Sequence, residues 1–432
     1  MTDDAKSFLF TTFEAGGVLA PVLTIVTRLV RRGHRVRVMS DACNRDEVEA
    51  VGADFIAWRR APSRPGRERV FDTFQDWAAP TPPEGFLAFM NAVLVGPSLA
   101  YAEDMIDELR REPADLVVCN EMLFGPQAGC AAIGQKFALV GVNISLFPMP
   151  GVPPLGPGFA PARTEEERAM HAEVSRMAVE LFDSTLPALN AARTTLGLAP
   201  LEHLLDQHKA AEGLLIATSR AFDFAPDVLP PGVSYVGPQL GDPGWAEPWV
   251  SPFAADDDRP LVLVSFSTTF QNHVGDLQRV MDALAGLPVK AVVTLGGPIS
   301  ADELLAPANV ALVDSAPHHE VMREAVLVIT HGGHGTVCKA LANGLPQLIL
   351  PHGRDQADNA VRVTERGAGL ALPADASAEA IRTATARLLD EPSFTHAARR
   401  LGAAVAREAA ESPAAEILEG LAGPREAPRC AA

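Results

Sequence analysis

Short apolar runs alternate along this chain with longer segments in which apolar residues return every three or four positions. Ser7 to Phe13 reads as a strand, Gly16-Gly17 turns the chain, and Pro21 suits the first turn of a helix. Val22, Val26, Leu29 and Val30 share one face of that helix, Arg31-Arg32-Gly33 closes it, and Arg35 to Ser40 is the next strand. Asp115 to Cys119 is another buried strand, followed by a helix to about Ile133 and a strand at Ala138 to Val142; Leu214 to Thr218 ends this series. A second series runs through Leu261 to Phe266, Ala291 to Leu295, Val310 to Val313, Val326 to Thr330 and Leu348 to Leu350. Such alternation predicts an α/β protein with two Rossmann-like halves, each a parallel sheet covered by helices on both faces. The predicted division is 1–238, a Pro-, Trp- and Asp-containing linker at 239–259, a second domain at 260–400, and a terminal helix at 401–425. Two stretches break the rhythm. Pro62 to Pro83 mixes Pro and Arg with Phe71, Phe74 and Trp77, and Pro148 to Pro161 is rich in Pro and Gly. Long irregular segments in compact domains are often functional; the other reading is a variable surface loop.

Composition narrows the classes. The 432 residues suffice for two ordinary domains, and an apolar share of 47% suits sizeable cores. A net charge of −18 argues against binding nucleic acid or an anionic membrane through bulk electrostatics. The five cysteines show no metal or redox spacing and read as reduced thiols. MTDDAKSFLF lacks the basic region and long apolar core of a signal peptide, and no transmembrane helix is expected. The expectation is a cytoplasmic protein, monomeric or homodimeric.

The most informative segment is VLVITHGGHGTVCKALANGLPQLILPHGRDQADNAVRVTERGAGL, Val326 to Leu370. It is a strand, a glycine turn (His331-Gly332-Gly333-His334-Gly335-Thr336), a helix capped at Asn343-Gly344, and a second strand. Unpaired N–H groups at that helix N-terminus suit a diphosphate. Asp355-Gln356, after the next strand, falls at the same carboxyl edge of the sheet, where a carboxylate and an amide can hold sugar hydroxyls. With Gly344, Pro346, Pro351 and Asn359, this ordered pattern resembles the donor signature of the nucleotide-sugar-dependent glycosyltransferases of the GT-B type, especially the bacterial natural-product enzymes related to UDP-glycosyltransferases.

The resemblance implies two Rossmann-like domains facing a cleft, with the C-terminal helix crossing back to the N-terminal domain. It implies that His331, Gly333, Gly335 and Thr336 contact the diphosphate, with His334 either there or in loop packing. Ser267 and Thr268 reach the phosphates from the opposite side, unless they satisfy their own turn. DSAPHH, Asp314 to His319, matches the nucleobase loop; relatives often carry a stacking Trp where this chain has Ser315, so base contacts fall to backbone near Ala316 and His318. Asp355 and Gln356 hold the sugar, and Asn359 reads as structural. No metal or resident cofactor is implied, and Asp256-Asp257-Asp258 reads as a solvated acidic turn.

The catalytic base departs from the family pattern. Aligned on Pro21, Val18 stands where relatives carry a His, and Asn120-Glu121 stands where its Asp partner belongs. Glu14 and Glu121 are the candidate bases; alternatively the acceptor needs none. Glu14 also reads as a carboxylate bonded to the Gly16-Gly17 turn. Phe71, Phe74, Trp77 and Asn120 are the candidate acceptor contacts. The expected function is inverting, metal-independent transfer of a sugar from a UDP- or dTDP-sugar to a small hydrophobic natural product. The alternative is a non-catalytic nucleotide-sugar-binding auxiliary protein that lost its base.

Overall fold

The computed structural model describes residues 5–423 apart from 147, 268 and 298. Seven strands form the first sheet: β1 (Ser7–Thr11), β2 (Arg35–Ser40), β3 (Asp54–Ala57), β4 (Leu116–Asn120), β5 (Phe137–Gly141), β6 (Leu214–Ile216) and β7 (Val233–Tyr235). Six form the second: β8 (Leu261–Ser265), β9 (Lys290–Thr294), β10 (Val310–Val313), β11 (Ala325–Thr330), β12 (Gln347–Ile349) and β13 (Gly369–Ala371). The orders are β3-β2-β1-β4-β5-β6-β7 and β10-β9-β8-β11-β12-β13, with every pairing parallel. Central strands such as β4 (LVVCN) and β8 (LVLVS) are buried throughout because helices cover both faces. Each sheet reverses its strand order once, between β1 and β4 and between β8 and β11, and ligands bind outside the carboxyl ends at such points.

The helix Leu19–Arg31 lays Leu19, Val22, Leu23, Ile25, Val26 and Leu29 on the first sheet. A separate apolar cluster joins the domains, with Ile144 and Phe222 of the first packed among Val337, Leu341, Ile349 and Val363 of the second.

The tail differs from the single helix expected at 401–425. A first helix, Pro392–Ala410, packs on the C-terminal domain so closely that a Cβ on Gly402 would lie 1.9 Å from the Leu341 carbonyl oxygen. Pro413 has no N–H to continue it, and a second helix, Ala414–Ala422, makes the return, burying Ala414, Ala415 and Leu418 in the N-terminal core. Residues 424 and 425 lie outside the described part. The helical stretch 82–111 has the length and apolarity of a membrane span, which hydrophobic runs alone did not flag. Its Met90, Leu94, Tyr101 and Met105 belong instead to the N-terminal core.

Candidate active site

The glycine turn leaves β11 at Thr330 and enters the helix His334–Ala342. Gly332 has φ +98°, and a Cβ there would lie 2.8 Å from Ile349 Cγ2 and 3.0 Å from the Gln356 carbonyl oxygen. Only glycine lets this backbone pack so tightly on the start of the next helix. Gly335 faces open space and Thr336 is half-buried, so the first-turn N–H groups are accessible to an anion. The His331 ring is buried beside Phe266, and desolvation, with His352 and His273 nearby, holds it well below the usual imidazole range. It is therefore a neutral hydrogen-bonding group.

His334 lies elsewhere than the donor expectation put it. Its Nε2 is 2.7 Å from Thr218 Oγ1, at the end of the N-terminal sheet, and its ring faces Phe222. Burial pushes it down to about 4. It seals the domain junction with a neutral hydrogen bond.

Opposite the turn, Asp355 caps the helix Gln356–Glu365 and is half-buried. Its carboxyl is raised by desolvation, and Oδ2 accepts from Asn359 Nδ2 at 3.0 Å. Asn359 Nδ2 also reaches the Gly332 carbonyl at 2.9 Å, so this residue ties turn to helix as expected. Gln356 is committed further than a free sugar ligand. Its Oε1 accepts from the N–H groups of His352 and Gly353, and its Nε2 gives one N–H to Gln271 Oε1 at 3.0 Å, leaving one amide N–H on a side chain that is 1% exposed. Ser267 likewise serves its own turn, because Oγ accepts from Thr269 N and from Gln271 Nε2 at 2.6 Å. Thr268 lies outside the described residues. Ala316 is buried beside the helix His318–Glu324, whose first ring meets Ser265 Oγ at 3.1 Å. Burial brings His318 down to about 4, and Ser315 Oγ accepts from the linker N–H of Glu247.

On the acceptor side, Glu14 sits at the carboxyl edge of β1, buried but bordering a pocket shared with Arg64, Arg67, Trp245, Thr269 and Phe270. Its Oε1 accepts from Gly16 N at 2.7 Å and its Oε2 from Arg67 Nε at 3.2 Å. The turn-bonded reading thus describes the resting geometry, with an added guanidinium. Glu121 is no accessible base. Its carboxylate is packed so closely on Gly141 that a Cβ there would lie 2.5 Å from Oε1, and burial pushes it up to about 8, so it holds its proton at neutral pH. Asn120 does not face an acceptor either. It is 4% exposed, and its Oδ1 closes a local turn by accepting from Met122 N. Phe74 stacks on Phe89 at 4.3 Å between centroids, with Phe13 beyond, and these rings pack against the N-terminal core. Phe71 is exposed. Trp77 instead crosses the cleft, meeting Phe270 edge-on at 5.0 Å while Arg69 lies over the Phe270 ring.

The loop rich in Pro and Gly also docks on the donor side, since Gly156 and Gly158 donate N–H groups to Asp358. Sequence reasoning missed Arg67, Gln271, His273, Asp276 and His352. One signal was available for the histidines: six of the chain's eleven fall between residues 273 and 352.

Two parallel-sheet α/β domains with switch points at their carboxyl edges and a glycine turn at one of them define a GT-B architecture. Residues 278–422 match the family described as erythromycin biosynthesis protein CIII-like, C-terminal domain. The chain is 28% identical to 4'-demethylrebeccamycin synthase of Lentzea aerocolonigenes over 422 residues, covering 96% of this chain and 99% of that protein. Among solved structures, CalG4, the calicheamicin glycosyltransferase, superposes with a TM-score of 0.74 at 23% identity, covering 97% and 99% of the two chains. Glycosyltransferase VinC, solved in complex with dTDP, gives 0.64 at 19% identity, covering 96% and 98%. The chain is a glycosyltransferase of GT-B architecture, and its residues 278–422 carry the matched domain.

Proposed function

We propose that this enzyme transfers a sugar, with inversion and without a metal ion or resident cofactor, from a UDP- or dTDP-sugar to a small hydrophobic natural-product acceptor. The observation that carries the reading is the pairing of two features at one sheet edge. The first-turn N–H groups of the helix entered by the glycine turn, at Gly335 and Thr336, stand beside Asp355 and the remaining amide N–H of Gln356, and the turn is tied to them through Asn359. The first suits a diphosphate and the second the hydroxyls of the attached sugar. The dTDP in the VinC structure supports a thymidine donor, and the similarity to UDP-glycosyltransferase 2 of Phaeomoniella chlamydospora keeps a uridine donor in view. The synthase of Lentzea aerocolonigenes supports a natural-product acceptor.

In this reading the acceptor lies against Phe74 and Phe71, with its nucleophile toward Glu14. Glu14 exchanges its Arg67 contact for the acceptor and takes the proton as the new bond to the anomeric carbon forms. The bond from that carbon to the phosphate oxygen breaks, and its electron pair leaves with the nucleoside diphosphate. Fixed N–H donors at the glycine turn stabilise that growing charge without reorganising. The test is calorimetric titration with UDP and dTDP in EDTA, followed by an acceptor screen with the matching sugar nucleotide and NMR assignment of the product anomer. Loss of nucleotide binding in EDTA, or retention of the anomeric configuration, refutes the corresponding part.

A further inference from the structure

Three histidines ring Phe266 at the carboxyl edge of the C-terminal sheet. His331 opens the glycine turn, His352 follows Pro351 after β12, and His273 precedes the helix Val274–Leu284. Their rings lie 6.1, 5.5 and 5.8 Å from Phe266 between centroids, and His273 and His352 are 6.4 Å apart. His352 Nε2 bonds to Asp276 Oδ2 at 2.5 Å, while Asp276 Oδ1 pairs with Arg279. His352 Nδ1 is left buried with no hydrogen-bond partner among the described residues, and His273 Nδ1 is in the same position. Buried polar atoms are rarely left unmatched. Two of them on neighbouring rings, beside a turn built for an anion, mark a site that a ligand completes.

The charge balance points the same way. A departing diphosphate gains negative charge, yet His331 is held neutral, and burial brings His273 down to about 4. His352 is the ring with a carboxylate behind it, and Asp276 compensates an imidazolium there. The charged and titratable groups around it are Asp276 with Arg279, His273, His331 and, two residues on, Arg354.

We infer that His352, backed by Asp276, supplies the positive charge that meets the donor diphosphate, and that the nucleotide enters this site together with a proton. On binding, His352 Nδ1 gains a proton from solvent while Nε2–H stays on Asp276; on release of the nucleoside diphosphate the proton returns to solvent. This deepens the proposed donor site and rests on it.

The experiment is titration calorimetry of the full chain with UDP and dTDP in EDTA near pH 7.5, in PIPES and in Tris, whose ionisation enthalpies differ. The apparent enthalpies should differ by the amount due to uptake of about half to one proton per nucleotide. His352→Gln and Asp276→Asn should each at least halve that uptake and weaken binding about tenfold, with thermal unfolding as the folding control. Nucleotide binding without proton uptake in the wild type, or uptake unchanged in both variants, overturns the inference and leaves the donor site standing. If neither nucleotide binds, the donor site and this inference fall together.

Discussion

The helix Gln356–Glu365 joins the two domains through one buried ion pair, and removing half of it measures what that junction is worth. Arg362 Nε lies 2.7 Å from Asp223 Oδ1, with side chains 4% and 0% exposed. Asp223 also accepts from the Tyr235 hydroxyl at 2.7 Å and from Phe224 N at 2.8 Å, while the Arg362 guanidinium lies 4.6 Å over the Phe224 ring. Arg362→Met keeps an apolar stem but leaves the Asp223 carboxylate stranded. Breaking a buried pair from one side costs about 3–5 kcal/mol, and the two donors remaining on Asp223 put this case near the lower end, ~3 kcal/mol. Adding Asp223→Asn removes the stranded charge, and the double variant should recover to within ~1 kcal/mol of wild type. Urea unfolding at pH 7, followed by tryptophan fluorescence and far-UV circular dichroism, reads both variants and separates the transitions if the domains uncouple. A single variant within ~0.5 kcal/mol of wild type refutes the reasoning, as does a double variant no more stable than the single, given errors of that size in such cycles. Because Asp355 and Gln356 begin the same helix, the single variant should also raise the donor KM.

Glu121→Gln should remove a pH-dependent burden. Between the ordinary carboxyl range and pH 8 the folded state holds a proton on Glu121 that the unfolded state has lost, so stability falls as pH rises, by at most ~1.4 kcal/mol per unit. The variant's advantage over wild type in urea unfolding should therefore grow from about pH 5.5 to about pH 7.5; an advantage independent of pH counts against the burial argument. His331→Ala should weaken nucleotide binding about 10- to 100-fold, the worth of one hydrogen bond to a charged group, as read by calorimetry. Glu14→Gln should leave nucleotide affinity unchanged and lower transfer by about 100-fold or more. Transfer at the wild-type rate would show that the acceptor needs no base here.

The strands of both sheets were legible wherever burial on two faces produced a nearly continuous apolar run, as in β4 and β8. The short edge strands β3, β7 and β13 were not, because their residues are only partly covered and carry polar positions such as Asp54 and Ser234. The glycine turn was legible because its geometry is local and made from backbone. Gly332 needs no side chain and tolerates none, and Asn359 reaches it from one turn into the next helix. Reading single side chains was less secure. His334 sits two residues from Gly332, yet its partner Thr218 comes from the other domain, and no local spacing announces that. Glu121 was misread for a similar reason, since the wall that seals it is Gly141, on the neighbouring strand.

The acceptor side depends on contacts that join distant segments. Arg67 reaches Glu14 from within the loop rich in Pro and Arg, and Trp77 of the same loop leans on Phe270 of the other domain. The second irregular loop goes further, because it rests on the donor helix itself. Asp358 accepts from Gly156 and Gly158 at 2.7 and 3.1 Å, and Gly158, at φ +71°, comes so close that a Cβ would lie 2.8 Å from the Ala357 carbonyl oxygen. Burial pushes Asp358 up to about 6, so above that pH the carboxylate holds the loop by charge-assisted hydrogen bonds, and below it by neutral ones. Asp355 and Gln356 lie within one turn of this clamp. In the proposed reading, an acceptor that moves the loop pushes on the residues assigned to the sugar, so the helix Gln356–Glu365 couples the two substrates as well as the cleft does.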